Sequence, residues 1–112
     1  MSWTDKLAET RTQLQALNTT IPETNRAFGA LCQTVKETGP LDFKTKEFIA
    51  LGIAVAMRCD ACIALHCEAL VRVGATRAEV GDVLAMTIQM GGGPSKMYAA
   101  KALDCFAELS AG

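Results

Sequence analysis

The chain has 112 residues, a formal net charge of −1, and a composition that is 50% hydrophobic, 5% aromatic and 21% charged. That length describes one domain spanning residues 1–112, and apolar mass drawn from Ala, Leu, Val, Met and Ile suits packed helices better than sheets. With no cluster of Lys and Arg, a nucleic-acid groove is excluded, because phosphate binding requires concentrated positive charge.

The sequence predicts an all-α subunit of about six helices. Leu7, Leu14 and Leu17 fall at helical spacing in a first helix from Trp3 to Leu17. Pro22 suits the first turn of a second helix that runs to about Thr38 and is expected to bury Phe28, Leu31, Cys32 and Val35 before Gly39-Pro40 ends it. Asp42 is the expected N-cap of a third, Phe43 to Met57.

From Phe48 onward that third helix is apolar nearly all round, broken only by Gly52. The run is too short to span a bilayer and reads as a buried helix, so no membrane partner is expected. A helix with no wet face must be covered on all sides, which a chain this small can hardly do alone. A subunit interface, and hence a homo-oligomer, is the expected solution. The fourth helix starts at the Cys59/Cys62 pair and ends near Val73, with Gly74 as terminator. Thr76-Arg77-Ala78-Glu79 is a capping box for the fifth, which runs to about Met90. Gly91-Gly92-Gly93-Pro94 should break the chain before a last helix, Ser95 to Leu109, that buries Tyr98, Ala102, Cys105 and Phe106.

The polar N-terminus, Met1 to Lys6, lacks the apolar core of a signal peptide, so the expected compartment is the cytosol. Five cysteines there do not make a structural disulfide framework; a CxxC is expected to be redox-active or metal-binding. On a helix Cys59, Cys62 and His66 share an arc of ~60°. A thiolate is the reactive form of cysteine, and the N-terminal end of a helix favours it at Cys59 or Cys62. His66, the chain's only histidine, can accept or relay the proton. Glu47, a charge at the threshold of the apolar run, is the expected partner for His66. If the third and fourth helices are antiparallel, Glu47 lies ~16 Å and His66 ~12 Å from the turn, at comparable depth.

Alternatives stay open on these residues alone. Cys59, Cys62 and His66 offer three metal ligands, but Cys67 points about 80–140° away from them and is poorly placed as a fourth. A haem-attachment site is excluded because Ile63, not His, follows the second cysteine. Cys32, Cys67 and Cys105 read as small core fillers.

Glu47, twelve positions to Cys59-Asp60-Ala61-Cys62, then three residues and His66, resembles the signature of alkyl hydroperoxidase D-like members of the carboxymuconolactone decarboxylase family. Leu41 to Lys46 before it, Gly74-Ala75-Thr76 after it and Met90 to Pro94 are also similar to that family, so the likeness covers residues 28–106 or thereabouts. The resemblance implies a helical subunit in a ring-like homo-oligomer, often a hexamer, and a thiol-dependent peroxidase or disulfide reductase. It implies that Cys62 attacks, Cys59 resolves to a Cys59–Cys62 disulfide, and Glu47 with His66 moves the proton. No bound organic cofactor is implied; electrons come from an external dithiol such as a lipoyl group or a thioredoxin-like protein. The best-characterised peroxidase branch carries a second histidine inside the CxxC, where this chain has Asp60 and Ala61. Asp60 should disfavour a thiolate nearby and tilt the chemistry toward disulfide exchange. The rival readings are a non-catalytic redox sensor or metal-binding scaffold, and a lactone decarboxylase; decarboxylases of the family generally lack this CxxC.

Overall fold

A computed structural model describes residues 2–111, with Met1 and Gly112 outside the described residues. Six helices follow in chain order: α1 Trp3–Thr20, α2 Pro22–Glu37, α3 Phe43–Ala56, α4 Asp60–Arg72, α5 Arg77–Gly91 and α6 Gly93–Ala111. Among the described residues there is no strand. No helix there is long and apolar enough to cross a membrane.

Local chemistry explains most of the helix ends. The Ser2 hydroxyl accepts from the Asp5 amide at 3.0 Å and opens α1, and Asp42 accepts from the Thr45 amide at 2.8 Å and opens α3. Thr76 and Glu79 exchange both bonds of a capping box at the start of α5. The start of α1 has a second, distant cap. Glu108 on α6 accepts from the Trp3 and Thr4 amides at 3.0 and 2.9 Å, tying the first helix to the last.

Helices α3 to α6 enclose the core, where Leu51, Val55, Ile63, Leu70, Val80, Ala102, Cys105 and Phe106 lose nearly all contact with solvent. Each large aliphatic side chain buried this way contributes about 1.5–3 kcal/mol. Helix α4 packs against α3 and α6, and α1 lies across α4 and α6. Helix α2 touches only α1 and α3.

Four expectations change. Helix α1 runs on to Thr20, with only Ile21 separating it from α2; its Leu14 and Leu17 are exposed and Leu7 alone of the three leucines is buried. The apolar positions of α2 are not covered: Phe28, Leu31 and Val35 are exposed, Cys32 is half-buried, and the helix contributes no buried residue. Tyr98 packs on the core but is only partly buried. The glycine run breaks the chain at Gly92 alone, whose φ of 77° turns the backbone between α5 and α6. Gly91 belongs to α5, where a Cβ would fall 1.9 Å from Ser95 Oγ, so the two helices meet there without a side chain between them.

Helix α3 is only half covered. Leu51, Ala54 and Val55 are buried, while Ile49, Ile53 and Met57 are exposed. Ile49 and Ile53, with Val83, Met86 and Met90 of α5, border an apolar groove of about 460 Å³.

Candidate functional site

The turn between α3 and α4 sets the site. The Arg58 amide donates to Val55 O at 3.1 Å and the Cys59 amide to Ala54 O at 3.0 Å, the paired bonds of a Schellman ending. Arg58 holds the left-handed position at φ 57°, where glycine is usual. The same pair of bonds closes α4, through Gly74 to Val71 O and Ala75 to Leu70 O, and there the left-handed residue is Gly74 at φ 79°. The non-glycine residue therefore sits immediately before the CxxC.

Cys59 is the N-cap of α4, and its sulfur accepts from the Cys62 amide at 3.1 Å. The two cysteines are joined as a disulfide with Cα atoms 5.2 Å apart, and both are half-buried. One turn on, His66 Nδ1 lies 2.6 Å from Glu47 Oε2. Glu47 comes from α3 and is fully buried, whereas the His66 side chain retains 25% exposure. With Nδ1 donating to a carboxylate, Nε2 is the nitrogen left to exchange a proton with a thiol one turn away.

Sequence reasoning missed Lys36. This α2 residue brings its ammonium to 3.1 Å from Glu47 Oε1, the oxygen that His66 does not use. Burial pushes the Glu47 carboxyl up, but the hydrogen bond with His66 and the positive charge of Lys36 outweigh it and hold the group below the usual carboxylate range. Nothing in the spacing of residues 36 and 47 singles the lysine out, because it reaches the site from a different helix.

Asp60 also has a partner. Lys101 of α6 donates to both of its carboxylate oxygens at 2.9 and 3.1 Å, and its ammonium sits 4.7 Å from the Tyr98 ring centre. The negative charge inside the CxxC is therefore paired, which weakens the expectation that Asp60 suppresses a thiolate.

The remaining cysteines are set apart. Cys67 and Cys105 are fully buried; the Cys67 thiol donates to Ala102 O at 3.6 Å. Its hydrogen bond to Cys67, reinforced by burial, pushes the Cys105 thiol far above the ordinary range. Among the described residues, no group of three or more His, Cys, Asp and Glu side chains is arranged to hold a metal ion. An openable sulfur pair beside an imidazole braced by a buried carboxylate has the parts needed for thiol–disulfide exchange.

Comparison with known proteins agrees with that fold. Residues 22–104 match the model of the carboxymuconolactone decarboxylase family, and the chain belongs to that family. A carboxymuconolactone decarboxylase family protein from Legionella pneumophila is 44% identical, with 96% of each chain covered and a TM-score of 0.93. A family member from Thermotoga maritima, described as a candidate for the antioxidative response, is 30% identical over 93% of this chain and 89% of that one, with a TM-score of 0.81. An uncharacterised protein of Cupriavidus necator is 40% identical over 95% of this chain and 94% of its own length.

Proposed function

We propose that the protein is a thiol-dependent oxidoreductase of the alkyl hydroperoxidase D-like type, and that Cys62, Cys59, His66 and Glu47 carry its chemistry. The observation that carries this reading is the Cys59–Cys62 disulfide at the start of α4, with His66 one turn on and braced at 2.6 Å by a buried Glu47. In the reduced protein His66 takes the Cys62 proton. The thiolate attacks a peroxide oxygen, giving sulfenic acid and an alkoxide that collects the proton. Cys59 then attacks the Cys62 sulfur, releasing water and closing the disulfide. On a disulfide substrate, Cys62 instead breaks the S–S bond, forming a mixed disulfide and releasing one substrate thiol, and Cys59 then attacks the Cys62 sulfur and displaces the other. An external dithiol, a lipoyl group or a thioredoxin-like protein, returns two electrons and restores both thiols.

The working form is a homo-oligomer, in keeping with a hexamer. The bare apolar faces of α3 and α5, with Ile53, Met57, Met86 and Met90, support that reading, as does the exposed stripe of α2. Sedimentation equilibrium at micromolar concentration should show a multiple of the 11.9 kDa chain; a monomer would contradict it.

Activity is tested by steady-state consumption of peroxide, and of a small disulfide, with excess dihydrolipoamide under metal-free conditions. Wild type should turn over at least one substrate, and Cys62→Ser neither. Full activity in Cys62→Ser would sink the assignment.

A further inference from the structure

We propose that Lys36 is a positioning residue of the proton relay: it holds the compensating charge for Glu47, so that His66 is free to take up and release the proton of Cys62. The proposal rests on the relay described above and adds a member supplied by α2.

The argument begins with Glu47 Oε1. The carboxylate is fully buried, and this oxygen has no hydrogen-bond partner of acceptable geometry. What faces it is the Lys36 ammonium at 3.1 Å, placed as an ion pair. A buried carboxylate with one neutral imidazole for company carries an uncompensated negative charge, which is costly in a low-dielectric surrounding. The cheapest remedy is to keep a proton within the Glu47–His66 pair. A pair that already holds its proton is a poor acceptor for another. Lys36 supplies the missing positive charge without occupying the proton site.

Local structure delivers the lysine. Helix α2 contributes no buried residue, so packing does not explain where its last turn lies. Lys46, the residue before Glu47, donates to Val35 O at 2.5 Å and also to Thr38 O, clamping the two carbonyls that flank Lys36. The Lys36 ammonium also lies 5.8 Å from the Phe43 ring centre. The charged and titratable groups acting on Glu47 are His66 from α4 and Lys36 from α2; on α5 and α6, Glu79 pairs with Lys44 and Lys101 with Asp60.

The test compares wild type, Lys36→Met, Lys36→Gln, Lys36→Arg and Glu47→Gln. Two readouts are needed: the ¹³C titration of the Glu47 side-chain carboxyl, and the pH profile of Cys62 alkylation by iodoacetamide in reduced protein, followed on the Cys62 peptide. Lys36→Met and Lys36→Gln should move the Glu47 titration to higher pH and displace the acid limb of the alkylation profile upward by about one pH unit. Lys36→Arg should restore both. If Glu47→Gln alters the alkylation profile while neither Lys36→Met nor Lys36→Gln moves either readout, the proposal is overturned and the relay stands. If Glu47→Gln also leaves the profile unchanged, the relay itself fails and the proposal falls with it. A melting temperature for each variant separates these results from loss of the fold.

Discussion

Helix α4 and its N-cap carry three cysteines, and they divide into two environments only one turn and a half apart. Cys59 and Cys62 lie at the helix start, half-buried and joined to each other, with His66 on the same face. Cys67 turns to the other side, fully buried like Cys105 of α6; both are free thiols, and Cys67 donates to the Ala102 carbonyl. Sulfur chemistry is the same in both places. What differs is access, the free amides of a helix N-terminus, and a proton acceptor within reach. On the proposed mechanism the first pair uses all three and cycles, whereas the second stays as thiol.

The comparison is broken most severely by exchanging serine for sulfur on each side. Cys62→Ser should abolish turnover of peroxide and disulfide alike, with the melting temperature of the reduced protein almost unchanged. Cys67→Ser should do the reverse: activity within about twofold of wild type, and a loss of about 1–3 kcal/mol in stability, because a hydroxyl replaces a core thiol. Urea unfolding alongside steady-state assays checks both.

Next in size is the proton acceptor. His66→Ala should lower turnover by about 10², the range for loss of a general base, without changing the reactivity of Cys67 or Cys105. Smaller still is the charge next to Cys59. Lys101→Met leaves Asp60 unpaired; an exposed pair is worth ~0–1 kcal/mol, so Cys62 alkylation should slow by no more than about fivefold. Adding Asp60→Asn should recover it. No recovery in the double variant would show that Lys101 acts on the sulfur by another route.

The smallest effect is on acid stability, and it too should divide the two sides of α4. Glu47 is held below its unfolded value, so its stabilising contribution is complete above the ordinary carboxylate range of about 4 and is lost as pH falls through the folded value. Glu47→Gln should flatten that part of the stability–pH curve. Cys67→Ser should leave its slope unchanged, because the substitution removes no carboxylate.

Much of this arrangement was legible in the sequence because it is local. The spacing of Cys59, Cys62 and His66 on one helix, the N-cap at Asp42 and the capping box at Thr76 need only helical geometry. Glu47 was reached by a depth estimate across an antiparallel pair of helices, and it lies 2.6 Å from His66. Lys36 and Lys101 were not legible, because they approach from α2 and α6 at separations no motif encodes. The burial of Phe28, Leu31 and Val35 was misjudged for a related reason. Periodicity shows that a helix face is apolar but not what covers it, and among the described residues nothing covers the face of α2.

The division between the two sulfur pairs is tested most directly in reduced Cys59→Ser protein given one equivalent of hydrogen peroxide in the presence of dimedone, with the modified cysteine located by peptide mass. The account predicts a sulfenic-acid adduct on Cys62, with Cys67 and Cys105 unmodified. An adduct on Cys67 or Cys105, or an unmodified Cys62 after the peroxide is consumed, would contradict it.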